Sequence, residues 1–172
     1  PVWRLMAQAL ASTGAAQAEA TAELEKASRK PKSKIGRHAH GMTMLLLGNT
    51  DEARRRLDQA LEDVSDAQPN PVAYRTRIGL ATIERQAGNL EAALTQVDEA
   101  LKANPGYLPA RIEKARALVA KGEGDDAMAV LEPVLTEIEL MTGDVEVLAA
   151  EATIKRDQRK MRDKDKQALR DA

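Results

Sequence analysis

The chain has 172 residues, 43% of them apolar and 31% charged, with a formal net charge of −1. The length admits one domain or a short repeat array, and the balanced charge argues against a generic binder of nucleic acid or of anionic membranes. The sequence has no Cys, which excludes disulfides and thiolate metal sites, and no apolar run approaches the roughly 18 residues of a membrane span. With no Phe, and only Trp3, Tyr74 and Tyr107 as aromatics, the core must come mainly from Ala, Leu, Val, Ile and Met. That composition favours closely packed helices over a sheet sandwich.

In chain order, the apolar periodicity predicts helices over 2–13, 16–29, 34–47, 51–66, 72–87, 91–103, 108–121, 125–140 and 144–168. The first helix of each pair is followed by a glycine: Gly14, Gly48, Gly88 and Gly122, spaced 34, 40 and 34 residues apart. Seven residues before each glycine stands a small residue, Ala7, Gly41, Ala81 or Ala115, and Ala149 follows after another 34 without its glycine. Second helices repeat as well. GNTDEARRRLDQAL (Gly48–Leu61) and GNLEAALTQVDEAL (Gly88–Leu101) carry the same stripe, Ala53-Leu57-Ala60 and Ala93-Val97-Ala100, which returns as Ala127-Leu131-Val134 with Leu135 after it. Offsets of four and seven put each set on one helix face, with small residues for close backbone approach and Leu or Val to fill the gap. The first unit fits Ala20, Leu24 and Ala27 after a one-residue slip, and its inter-helix turn is expected to be longer.

The six extra residues between units two and three are assigned to a second helix prolonged to about Ala67, ended by the loop QPNP, Gln68 to Pro71, whose prolines oppose helix. Units are therefore expected at about 1–31, 34–67, 72–105 and 108–141, with a capping helix over 144–160 that has Val145, Leu148 and Ala152 on its inner face. Residues 161–172, seven of the twelve charged, are expected to form a helical extension that frays or projects into solvent. The chain begins at Pro1 rather than Met. This points to a piece of a longer or processed protein and leaves room for an anchor or a catalytic domain upstream.

The pattern resembles the tetratricopeptide repeat, a helix–turn–helix unit with the signature W-x2-L-G-x2-Y, A-x3-F and P. Trp3-x2-Met6-Ala7-x2-Leu10 is close to its first half, Ala53-x3-Leu57, Ala93-x3-Val97 and Ala127-x3-Leu131 match the second, and Pro31 and Pro105 match its end. Arg37, Arg77 and Arg111 depart from the pattern at the Trp position, and His40 and Lys114 at the Leu position. The resemblance covers about residues 1 to 155. It implies an all-α, right-handed α-solenoid of stacked repeats with a C-terminal capping helix, in which no helical pair buries its stripe alone. The Ala- and Arg-rich usage points to a bacterial source and leaves the compartment, cytoplasm or periplasm, open.

Signals for chemistry are weak. His38 and His40 lie two apart and point about 200° apart on a helix, so they cannot share an ion, and Met42 and Met44 have the same fault. His40 is expected in a half-buried packing slot and His38 facing the groove. GEGDD (Gly122–Asp126) lacks the ligand spacing of an EF-hand and reads as a turn with its acids near a helix start. No nucleophile has a base to serve it, so no metal, cofactor or catalysis is expected. The run Arg54, Arg55, Arg56 reads as a solvated convex face, and the carboxylates as surface charge.

By resemblance, first helices line a concave groove that holds a peptide or a helix. The register gives Arg4 and Gln8, then Ile35, His38, Met42 and Leu45, then Arg75, Ile78, Thr82 and Arg85, and finally Ile112, Glu113, Arg116 and Val119. Arginines outnumber Glu113 on this wall, so an acidic protein segment or a free C-terminus is the expected partner. No Asn stands where a Lys/Asn carboxylate clamp would need one. The expected function is a non-catalytic interaction scaffold. The alternatives are an accessory domain of a larger enzyme or membrane-anchored assembly factor, and a scaffold that self-associates.

Overall fold

The computed structural model describes residues 2–29, 33–62, 70–137 and 143–171. Among them are nine helices and no strand: α1 (Val2–Ala11), α2 (Gly14–Ser28), α3 (Lys34–Leu46), α4 (Thr50–Leu61), α5 (Pro71–Gln86), α6 (Leu90–Ala103), α7 (Leu108–Lys121), α8 (Gly124–Glu137) and α9 (Gly143–Asp171). Each odd-numbered helix touches the next odd one, and each even helix packs between the odd helices on either side of it. This is the all-α repeat solenoid that the resemblance implied.

Its core is divided among the joints. Ala9, Ala20, Leu24 and Ala39 form one cluster across α1, α2 and α3, and Met44, Ala53, Leu57, Leu80 and Ile83 form the next across α3, α4 and α5. Tyr74, Ala81, Val97, Ala100 and Ala110 join α5, α6 and α7, and a last cluster centred on Leu118, Leu131 and Ala152 joins α7, α8 and α9. Every cluster thus spans three consecutive helices, and a repeat without its neighbour would leave its stripe in water. The repeated second-helix stripe is buried throughout: Ala53, Leu57, Ala60, Ala93, Val97, Ala100, Ala127 and Leu131 are all 0% exposed.

Three of the four turn glycines are alike. After α3, Gly48 at φ 82° donates its N–H to the Leu45 carbonyl, and the Asn49 N–H reaches the Met44 carbonyl at 2.8 Å. Gly88 and Gly122 repeat this Schellman geometry after α5 and α7, and their left-handed φ is available cheaply only to Gly. The two Gly-Asn pairs then diverge. Asn49 accepts from Glu52 N–H as the cap of α4, whereas the Asn89 amide donates to Glu84 Oε2 at 2.9 Å.

Close approach needs glycine inside helices as well. A Cβ on Gly41 would stand 2.7 Å from Leu57 Cγ, and one on Gly124 would stand 2.3 Å from the Ala152 carbonyl oxygen of α9.

Unit one departs from the expected register. Gly14 is the first residue of α2, following Thr13 at the N-cap, and α1 stops at Ala11. The buried small residue of α1 is consequently Ala9, while Ala7 is exposed. Unit two departs too: Glu62 leaves the helical region with ψ 135°, so α4 ends at Leu61 instead of continuing to Ala67. The rest of that connection, Asp63 to Pro69, lies outside the described residues. Asn70 caps α5 by accepting from Val72 N–H, with Pro71 at the start of the helix. At the other end, α9 is one continuous helix to Asp171. The side chains of Leu135, Val145, Leu148 and Ala149 lie outside the described residues, whereas Ala152 is fully buried.

Positions that depart from the repeat signature make polar bonds across the same seams. Where the signature has Trp, Arg37 donates to the Gln59 carbonyl at 2.9 Å and Arg77 to Gln96 Oε1 at 3.3 Å, each reaching its own second helix. Where it has Leu, His40 faces Ser28 on α2, and Lys114 pairs with Asp98 on α6 at 2.7 Å.

Candidate functional site

Register aligns the odd helices into rows: Ile35, Arg75 and Pro109; His38, Ile78 and Ile112; Met42, Thr82 and Arg116; Leu45, Arg85 and Val119; Leu46, Gln86 and Ala120. Steps of three and four residues bring these positions onto one face of each helix. Ile35, Leu46 and Arg75 are exposed, and Met42, Leu45, Ile78, Thr82, Ile112 and Arg116 are partly exposed. Gln8 is exposed on α1, while the side chain of Arg4 lies outside the described residues. Val119 is buried in the last core cluster.

His38 does not face an open groove. It is 5% exposed, with Nδ1 at 2.9 Å from Thr76 Oγ1 on α5. The Thr76 hydroxyl also donates to the Val72 carbonyl, which leaves its oxygen placed to accept from a His38 Nδ1–H. Burial pushes the His38 imidazole down to about 4, and the Arg75 charge pushes the same way. His40, 2% exposed, turns the opposite way to Ser28, whose hydroxyl donates to the Glu25 carbonyl. The two histidines therefore tie α3 to the units on both sides, the physical outcome of residues two apart on a helix. Among the described residues, no group of three or more His, Asp or Glu side chains is placed to hold a metal ion.

The basic wall is partly self-neutralised. Glu113 on α7 is 2% exposed, and its carboxylate accepts from Arg85 Nε on α5 at 2.6 Å, with Arg116 3.6 Å away on its other oxygen. Glu113 occupies the register position of Ala39 and Gly79 in the earlier units. A carboxylate in a slot that elsewhere takes a small residue was the sequence signal for this internal pair. Arg75 remains exposed beside the Tyr107 phenol, and the Tyr107 ring stacks at a tilt on Tyr74, with centroids 4.8 Å apart.

The three consecutive arginines of α4 do not form one solvated patch. Arg56 is 6% exposed, donating to Glu52 at 2.7 Å and lying 3.6 Å from Glu25 of α2. Arg54 pairs with Glu84 of α5 at 2.5 Å, and bonds from Arg54 and Asn89 hold the Glu84 carboxyl below its usual range. Only Arg55 is exposed. Elsewhere, an open cleft of about 590 Å³ lies where α9 runs past the end of α7, lined by Lys121, Gly122, Lys155, Gln158, Met161 and Arg162.

Comparison with known families decides what the array is. A tetratricopeptide repeat model matches residues 39–107, and a second one, of the same description, matches 84–138. Together they run from α3 through α8, more than half of the chain. The chain belongs to the tetratricopeptide repeat family. No curated protein and no solved structure matches it. Tetratricopeptide repeats are in general protein-interaction domains without catalytic activity, binding proteins or peptides. Among the described residues, no helix of this array is long and apolar enough to cross a membrane.

Proposed function

We propose that this tetratricopeptide array is a non-catalytic scaffold that holds a protein segment along the face lined by α3, α5 and α7. The observation that carries this reading is the row structure of that face. Successive first helices present Ile35, Met42 and Leu46, then Arg75, Ile78 and Thr82, then Ile112 and Arg116, all wholly or partly open to solvent. Apolar side chains left open on a surface gain from being covered, and nearby arginines supply directional contacts. With several helices contributing, a bound segment is read at several positions and complex assembly becomes selective.

The test is capture of partners from a lysate by the parent chain and by an Ile35→Asp, Leu46→Asp, Arg75→Glu variant. All three sites are exposed, so the fold should survive, which a circular dichroism melt verifies. Arg55→Glu, at an exposed position of α4, is the control. Partners kept by the control and dropped by the triple variant support the reading. Equal capture by all three chains overturns it.

A further inference from the structure

Resting on that reading, we infer that the bound segment is bipartite: an apolar stretch seated on α3, and carboxylates seated across α5 and α7. The α3 line holds Ile35, Met42, Leu45 and Leu46, with no charged side chain among them, and Ile35 and Leu46 are 49% and 60% exposed. On α5 and α7 the same rows hold Arg75, Arg85 and Arg116 against the single carboxylate Glu113. The cause of the change lies at the joints. Between α3 and α5, Gly79 leaves room for Met42, whose sulfur would stand 2.7 Å from a Cβ there. Between α5 and α7 the equivalent slot holds Glu113, which draws Arg85 and Arg116 to it. The slot residue thus sets the chemistry of its strip, apolar over Gly79 and cationic over Glu113.

Charge arithmetic follows from the geometry. Arg85 and Arg116 share one internal carboxylate and Arg75 stands apart from it beside Tyr107, so the α5–α7 strip carries three guanidiniums against one carboxylate, a surplus of about two positive charges at neutral pH. Arg116 and Arg75, the more open of the three, can turn toward a ligand carboxylate while Arg85 stays with Glu113. Exposed large apolar side chains reinforce the division. Among the described residues they are Leu10, Ile35, Leu46 and Leu47 near the α1–α3 end and Ile154 and Met161 on α9, with none on α4 through α8. Packed helices stand about 8–10 Å apart, so the two parts of the segment are separated by one to two helix spacings, roughly 3–6 residues of extended chain.

The experiment is selection of a random dodecapeptide library displayed on phage against the intact chain. Binding of the enriched peptides is then measured by fluorescence anisotropy. Enriched peptides should carry Leu, Ile or Met on one side and Asp or Glu on the other. An Arg75→Gln, Arg116→Gln variant should weaken them at least about tenfold and erase the acidic preference. An Ile35→Asp, Leu46→Asp variant should weaken them comparably through the apolar part. Peptides that depend on these residues but lack one of the two parts would overturn the bipartite inference and leave groove binding standing. Peptides insensitive to both variants, or no enrichment over bare support, would overturn both.

Discussion

Arg85 Nε on α5 stands 2.6 Å from the Glu113 carboxylate on α7, and the two side chains are unequal in burial: 23% exposed for the cation and 3% for the anion. The inequality makes the pair directional. A guanidinium that loses its partner can turn to water, whereas a carboxylate sealed between helices cannot, and an unpaired buried charge is the costly remainder.

Arg85→Ala should therefore destabilise the array by about 3 kcal/mol, at the low end for a broken buried pair because Arg116 is near enough to substitute. Glu113→Gln, which keeps the shape and removes the charge, should cost about 1 kcal/mol. Urea unfolding of both variants checks the order. Equal losses would mean that the carboxylate is not the member at risk.

His38 makes the array acid-sensitive in a defined window. Its folded pKa of about 4 lies below the 6.5 of a free imidazole, so between those values the unfolded chain binds the extra proton. Stability from this residue is complete above pH 6.5 and falls as the pH drops toward 4, by up to about 3 kcal/mol. His40 is shifted the same way by its burial and by Arg56, and adds to the fall. Denaturant melts from pH 7.5 to 4 should show the decline, and His38→Met should flatten the part due to His38. A parent curve parallel to that of the variant would refute the assignment.

Gly41→Ala tests a close approach against helix propensity. On an open helix the change stabilises by roughly 0.5–1 kcal/mol. Here the new methyl would meet Leu57 Cγ at 2.7 Å and Cδ2 at 2.8 Å, and the Ala53 carbonyl oxygen at 3.2 Å. A net loss of about 1–3 kcal/mol is expected, measured by the denaturation midpoint. A gain would mean that Leu57 yields without cost.

Gly124→Ala should act on one helix alone. Its Cβ would lie 2.3 Å from the Ala152 oxygen and 2.5 Å from the Arg156 nitrogen, both backbone atoms of α9 that cannot rotate aside. Amide hydrogen exchange should speed up along α9 and stay unchanged in α3 through α6. Uniform acceleration would show that α9 does not open separately.

Much of this architecture is legible in the sequence, and what is hidden has a common cause. Ala53, Leu57 and Ala60, like their counterparts in later units, could be assigned from spacing because both the helix and its packing face are local properties. Arg56 read as surface because its burial depends on Glu25, a residue of the preceding unit. His38 read as groove-facing because its partner Thr76 lies 38 residues away, beyond the reach of helix periodicity. In α1 a regular glycine spacing pointed to Ala7, but Gly14 begins a helix there where its counterparts end one, and the inner face moved to Ala9. The basic character of the wall was legible residue by residue. Its internal neutralisation was signalled only by the register, which puts Glu113 where Ala39 and Gly79 stand, since nothing local to Arg85 announces its partner.

Because each apolar cluster belongs to three helices at once, the array behaves as a chain of four hinges in series. A pull on its two ends loads every joint equally, and the joint that yields is the least cohesive one, wherever it lies. Its neighbours lose one face and keep the other. A partner lying across α3, α5 and α7 would clamp the two middle hinges and leave the outer two free to flex.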